Sequence, residues 1–108
     1  MSAATLSRLM CAALLLGGSG GLGAADSASA IEQGSEIYKQ FCESCHGRDM
    51  ATTSALVFDL RKFPKSDAER FRTSVLDGKG GMPSWRDTLS EEDVANLWAY
   101  VRSGGTKP

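Results

Sequence analysis

The sequence predicts an all-α domain of about three helices. After residue 30, three segments repeat apolar residues at the three- and four-residue spacing of a buried helix face. No segment after that point alternates polar and apolar residues as a half-buried strand does. With 108 residues, 42% of them hydrophobic and 23% charged, the chain has enough material for one domain and too little for two.

The three predicted helices are marked by their end signals. The first covers about residues 32–42. The second covers about residues 66–77, opens on the capping-box pattern Ser-Asp-Ala-Glu and is followed by a glycine. The third follows Ser90 as N-cap, carries three acidic residues in its first turn and ends near Ser103. The apolar faces comprise Ile31, Gly34, Ile37, Tyr38 and Phe41, then Phe71, Val75 and Leu76, and finally Val94, Leu97, Trp98 and Val101.

Residues 1–30 have the pattern of a secretory signal peptide. An apolar run over residues 9–16 follows an arginine and precedes a stretch rich in glycine, alanine and serine. The run is far shorter than the roughly 20 apolar residues that a membrane-spanning helix needs, so no stable membrane insertion is expected. Small-x-small patterns predict cleavage after Ala30 or Ala25. An uncleaved N-terminal anchor is the alternative.

The remaining domain, residues 31–108, is nearly neutral and short. Twelve Lys and Arg against 13 Asp and Glu give the chain a net charge of −1, which argues against nucleic-acid binding. A single core in so short a domain rarely supplies more than about 3–5 kcal/mol of stability. We therefore expect a disulfide, a metal or a large cofactor to help hold the domain together.

Residues 42–46 read Cys-Glu-Ser-Cys-His, the C-x-x-C-H pattern of covalent c-type haem attachment. Two thiols at this spacing add across the vinyl groups of the porphyrin as thioethers, and the adjacent histidine supplies an axial nitrogen to the iron. Cys11 falls in the predicted signal peptide, so the motif uses both cysteines of the domain. The sequence thus predicts one haem c bound through Cys42 and Cys45, with His46 as an iron ligand.

Three other chemistries use a similar cysteine pair. A structural zinc site requires four Cys or His ligands, and the domain contains only three such residues. A thioredoxin-like dithiol belongs in a βαβ setting, and no strand is predicted. A structural disulfide in an exported protein is the third alternative.

The second axial ligand is predicted by elimination. His46 is the only histidine, so two histidine ligands within one chain are excluded. The sixth coordination position of the iron is then occupied by Met, Lys or an exogenous molecule, or it is vacant. Met50 lies so close to His46 that it would be held on the same face of the ring. Met82 follows glycines that permit close backbone approach and precedes Pro83, which stiffens the turn. Met82 is therefore the predicted sixth ligand, with Lys79 a substitute at high pH.

The order helix, C-x-x-C-H, long loop, helix, Gly-rich Met-Pro and terminal helix resembles a small bacterial class I cytochrome c over about residues 31–103. Gly34 and Tyr38 match that family's glycine and aromatic residue in the first helix. Leu97 and Tyr100 fall where the family packs its terminal helix against the glycine, because a side chain at Gly34 would separate the two backbones. The resemblance implies a class I cytochrome c fold, with about three main helices around one covalently bound haem.

A narrower resemblance concerns partners. Residues 58–61, 82–85 and 97–101 are similar to single-haem cytochromes that take electrons from quinoprotein (PQQ-dependent) alcohol dehydrogenases. This implies an electron carrier rather than an enzyme, moving one electron at a time between redox proteins through a haem ligated by His46 and Met82. The implied donor is a quinoprotein dehydrogenase, and the implied acceptor is a terminal oxidase or another cytochrome. The implied state is a monomer, exported to the periplasm.

Two other functions use the same motif. One is a haem enzyme or small-ligand sensor in which Met82 leaves the iron readily. The other is a tethered electron-transfer subunit of a larger oxidoreductase, which an uncleaved leader would favour.

Two further groups are expected to support the haem site. A backbone carbonyl in the loop after Gly47 is expected to accept the other ring N–H of His46 and fix its orientation. Arg61 is expected either to be solvated or to pair with a haem propionate.

Overall fold

The computed structural model describes residues 27–105, and the all-α prediction is confirmed there. Within that range the only β pairing is an isolated bridge between Lys79 and Met82. The four helices are α1 (Ala28–Phe41), α2 (Glu43–His46), α3 (Ala68–Asp77) and α4 (Glu91–Arg102). Two 3₁₀ turns, Arg48–Met50 and Leu60–Lys62, lie in the long segment between α2 and α3. No helix in residues 27–105 is both long and apolar enough to cross a membrane.

The first helix begins earlier than its predicted start near residue 32. Ser27 is its N-cap, and the Ser27 hydroxyl accepts a hydrogen bond from the backbone N–H of Ala30 at 3.0 Å. The last residues of the predicted signal peptide therefore form the first turn of α1. Residues 1–26, which contain the rest of that predicted peptide, lie outside the described residues.

The caps of α3 and α4 test two sequence predictions. The capping box predicted at Ser66 is wrong, because the cap of α3 is Asp67, whose carboxylate accepts from the Arg70 N–H at 3.2 Å. The cap predicted for α4 is confirmed. Ser90 and Asp93 each accept the other's backbone N–H at 3.0 Å, which closes a reciprocal capping box.

The contact between α1 and α4 organises the core. A Cβ atom built on Gly34 would lie 1.9 Å from the backbone oxygen of Asn96 and 2.9 Å from the Cβ of Tyr100. One turn further along α1, the rings of Tyr38 and Tyr100 lie 5.2 Å apart between centroids, and both residues are buried. The two helices therefore touch backbone to backbone at Gly34, as the resemblance implies.

An aromatic cluster attaches the long loop to this helix pair. Phe63 lies in the loop, and its ring centroid is 5.7 Å from that of Phe71 on α3 and 5.7 Å from that of Trp98 on α4. Phe71 and Trp98 are themselves 5.0 Å apart. All three are buried, so the long loop packs into the core at Phe63.

We predict that Gly34→Ala destabilises the protein by about 3 kcal/mol, because the added methyl group has no room against the Asn96 backbone. In an exposed helix the same change would stabilise the protein by about 1 kcal/mol, so the sign of the change in the free energy of unfolding distinguishes a close helix contact from an exposed position. Urea unfolding measures the effect. Gln40→Ala is the control, because Gln40 is exposed on the same helix and does not line the cavity, and its expected change is within about 0.5 kcal/mol. Equal stability of the two variants would disprove the close contact.

Candidate haem site

The four predicted site residues line one cavity. Cys42, Cys45, His46 and Met82 all contribute to a cavity of about 590 Å³ that is bounded by α1, α2, the long loop, α3, the loop before α4 and α4 itself. Most of the other lining residues are apolar. They include Tyr38, Phe41, Phe71, Leu97 and Val101, all from the predicted apolar helix faces. Leu76, which also belongs to a predicted apolar face, is buried in the core and does not line the cavity.

The cysteine pair is placed by the junction of α1 and α2. Cys42 ends α1, where its N–H donates to the Tyr38 carbonyl at 2.9 Å, and it also begins the single turn of α2. The His46 N–H donates to the Cys42 carbonyl at 2.9 Å, so the motif closes on itself within that turn. Cys42 is partly buried, Cys45 is exposed, and the two are not joined by a disulfide. Before haem attachment, burial, and secondarily the neighbouring Cys45, raises the pKa of the Cys42 thiol to about 11, so this thiol is protonated at neutral pH.

The imidazole of His46 is oriented by a backbone carbonyl. Its Nδ1 lies 3.2 Å from the carbonyl oxygen of Phe58, and a carbonyl only accepts hydrogen bonds, so Nδ1 carries the proton. Nε2 is then the nitrogen with the free lone pair that a metal requires. The sequence predicts such a carbonyl after Gly47 but does not identify its residue, because only the folded loop brings Phe58 beside the ring.

The chain directly after His46 is tied to the core. The Tyr38 hydroxyl donates to the Gly47 carbonyl, and burial raises the pKa of Tyr38, which keeps the phenol protonated as a donor. Met50 has a positive φ of 67° and no exposed surface. Met50 packs into the core and does not line the cavity, so of these two methionines only Met82 lies at the site.

Met82 lies in a turn that is hydrogen-bonded to the C-terminal end of α3. The backbone N–H groups of Lys79 and Met82 each donate to the other's carbonyl, at 3.0 and 2.9 Å. Two further hydrogen bonds anchor the chain just after Met82 to α3. The Ser84 hydroxyl donates to the Leu76 carbonyl, and the Trp85 N–H donates to the Val75 carbonyl at 3.0 Å. The half-buried Met82 is thereby held at the cavity wall.

Two cations line the same cavity. Lys79 belongs to the turn of Met82, and Arg70 lies on α3 with its guanidinium carbon 4.8 Å from the centroid of the Phe63 ring. Arg70 is not identified from the sequence, because its position beside the cavity depends on where α3 packs and leaves no local signal. Arg61 does not line the cavity, and its guanidinium pairs with the carboxylate of Asp59.

These residues suit a covalently bound haem. The site offers two free thiols, one imidazole with its metal-binding nitrogen unpaired and one thioether, within walls that are largely apolar. In residues 27–105 no group of three or more His, Cys, Asp or Glu is placed to hold a metal ion, which leaves the zinc alternative without ligands. Fold and site together define a small monohaem c-type cytochrome.

Comparison with known proteins identifies the family. The family described as "Cytochrome C oxidase, cbb3-type, subunit III" matches residues 29–101, and the chain belongs to this family of c-type cytochromes. The protein therefore carries covalently bound haem c at the C-x-x-C-H motif. No solved structure matches the chain.

Three relatives show the range of proteins in which this domain occurs. The chain is 32% identical to cytochrome c55X of Paracoccus denitrificans over 98 residues, covering 89% of the chain and 94% of that protein. It is 32% identical to cytochrome c6 of Microcystis aeruginosa, covering 68% and 96%. It is 40% identical to the quinohemoprotein alcohol dehydrogenase ADH IIB of Pseudomonas putida, covering 68% of the chain but only 11% of that much longer protein.

We predict that Gly78→Ala disturbs the turn that carries Met82. Gly78 has a φ of +83°, and a Cβ there would lie 2.8 Å from the Met82 carbonyl oxygen, so both conformation and contact oppose a side chain. Gly104 has a φ of +88°, nothing within 4 Å and no part in the cavity lining, so Gly104→Ala isolates the conformational cost. We expect losses of about 2–3 kcal/mol for Gly78→Ala and about 1 kcal/mol for Gly104→Ala in urea unfolding. Equal losses would show that the contact with Met82 is unimportant.

Proposed function

We propose that the protein is a one-electron carrier whose haem is ligated by His46 and Met82. One observation carries this proposal: His46, with its Nε2 unpaired, and the thioether of Met82 line the same cavity. When bound, haem c supplies a reversible couple between ferrous and ferric iron. With both axial positions filled by protein ligands, no position remains for a substrate, which favours electron transfer over catalysis at the iron.

The residues around the cavity favour the reduced form. A thioether ligand such as Met82 raises the reduction potential relative to ligation by histidine alone. The apolar lining, including Phe71, Leu97 and Val101, disfavours the additional charge of the ferric centre. Lys79 and Arg70 are the cations of the lining, so we assign the haem propionates to them.

The proposed partners are suggested by the relatives and by the cavity rim. Quinohemoprotein alcohol dehydrogenases of Pseudomonas putida contain a region similar to this chain, so we propose a quinoprotein (PQQ-dependent) alcohol dehydrogenase as electron donor. The proposed acceptor is a terminal oxidase or another cytochrome. Leu56 and Phe58 line the cavity and are 96% and 50% exposed, which offers an apolar edge against which a redox partner can pack.

We propose a periplasmic location, with the signal peptide cleaved after Ala25. Cleavage after Ala30 would remove Ser27, the N-cap of α1, together with the first turn of that helix. Cleavage after Ala25 keeps both. The intact mass of the haem-containing protein from a periplasmic extract is expected to correspond to a chain starting at Asp26. A mass that starts at Ile31 would contradict this assignment, and a haem protein found only in membranes would favour the tethered subunit.

The proposed ligation predicts the behaviour of two methionine variants. Met82→Ala is expected to lower the midpoint potential by on the order of 100 mV, within the roughly 0.8 V range over which axial ligands act. It should also abolish the weak far-red band that sulfur ligation gives the ferric protein. Met50→Leu, the matched control, replaces a buried methionine of the core and should leave both properties unchanged.

Redox titration and visible spectroscopy of the two variants test the assignment. An unchanged potential and far-red band in Met82→Ala would show that Met82 is not a ligand. Rapid carbon monoxide binding by the unsubstituted protein would instead favour the enzyme or sensor alternative, because it requires an open or easily opened axial position.

A further inference from the structure

The loop that orients His46 contains a bidentate ion pair. The Nε and Nη2 atoms of Arg61 donate to Oδ1 and Oδ2 of Asp59 at 3.0 and 3.1 Å. The backbone N–H of Arg61 also donates to Oδ1, at 3.0 Å. The Asp59 side chain is only 19% exposed, and that of Arg61 is half-exposed. One carboxylate therefore accepts three hydrogen bonds from one residue, which is far more restraint than a typical surface pair has.

This ion pair lies next to the carbonyl that accepts from the iron-ligand histidine. The peptide group between Phe58 and Asp59 contains that carbonyl, so a rotation of Asp59 would turn it. Asp59 also caps the 3₁₀ turn Leu60–Lys62, which leads directly into Phe63 in the core. The Phe58 and Phe63 rings lie 6.1 Å apart, edge to face. The carbonyl of Phe58 is thus held between a core anchor and the carboxylate of Asp59.

We propose that Asp59 and Arg61 are positioning residues for His46. This proposal rests on the proposed function, because it requires His46 to ligate a redox-active iron. By fixing the Phe58 carbonyl against the Nδ1 proton, the pair strengthens that hydrogen bond. A stronger hydrogen bond makes the imidazole a better electron donor, which stabilises ferric iron and lowers the midpoint potential. The pair therefore offsets part of the increase that the thioether and the apolar walls produce.

The electrostatics of the pair are consistent with a permanent restraint. The hydrogen bonds from Arg61 lower the pKa of Asp59, so the carboxylate remains ionised well below neutral pH. The same contacts raise the pKa of Arg61, which stays charged throughout. For overall stability, by contrast, an ion pair of this kind at the surface contributes little.

Three variants separate positioning from the simple effect of charge. Asp59→Asn removes a negative charge, Arg61→Gln removes a positive charge, and Arg61→Lys keeps the charge but loses the bidentate geometry. If the pair positions the carbonyl, all three variants raise the midpoint potential of the holoprotein. We expect about a threefold change in the one-electron equilibrium constant, which is about 30 mV at 59 mV per factor of ten.

A charge effect alone gives a different pattern. It predicts a higher potential for Asp59→Asn, a lower one for Arg61→Gln and no change for Arg61→Lys, and this pattern would overturn the proposal. The matched control is Arg72→Lys. Arg72 makes an equally bidentate pair with Glu91, with two contacts of 2.7 Å, but neither residue lines the cavity. Its expected effect on the potential is none.

A second readout reports the hydrogen bond itself. In the reduced holoprotein, exchange of the His46 Nδ1 proton with solvent can be followed by NMR. We expect exchange to be about threefold faster or more in Asp59→Asn and Arg61→Lys, and unchanged in Arg72→Lys. Unchanged exchange and potential in Arg61→Lys would refute the positioning role. Failure of the proposed function would look different, because the unsubstituted protein would then lack the spectrum of sulfur-ligated haem c.

Discussion

The close contact of α1 with α4 at Gly34 is the constraint on which the rest of the structure depends. Because the two backbones touch there, the next turn of α1 brings Tyr38 into the core beside Tyr100. From that position Tyr38 uses its hydroxyl to hold the Gly47 carbonyl, and its own carbonyl accepts the N–H of Cys42. The close helix contact at Gly34 therefore helps position the chain at Cys42, where the C-x-x-C-H motif begins, and at Gly47, directly after it.

The long loop after the motif completes the histidine side of the site. A loop of this length is unusual in so small a domain unless it serves the function, and here it returns to the core at Phe63 after passing the ring of His46. The 3₁₀ turn before Phe63 restricts the path between these two points. The orientation of the imidazole is thus a tertiary property, although the imidazole belongs to a local motif.

Local signals can be read from the sequence, whereas long-range contacts cannot. The capping box of Ser90 and the C-x-x-C-H motif use residues a few positions apart, so their spacing alone carries the prediction. The predicted start of α1 is too late because small residues such as those near Ser27 suit a cleavage site as well as a helix start. The Phe58 carbonyl has no signature in the sequence, since every residue has a backbone oxygen. Arg70 resembles any exposed arginine until α3 is placed beside the cavity.

The two sides of the cavity are built differently, and the short length of the domain explains why both matter. His46 is held by contacts that reach the core, whereas Met82 is held by backbone hydrogen bonds in a glycine turn at the end of α3. Within residues 27–105 both line the same cavity. A haem held in that cavity would contact both walls and take the place of the core side chains that a domain of this size lacks. Redox function and folding stability therefore depend on the same contacts, and a substitution that loosens either wall should affect both.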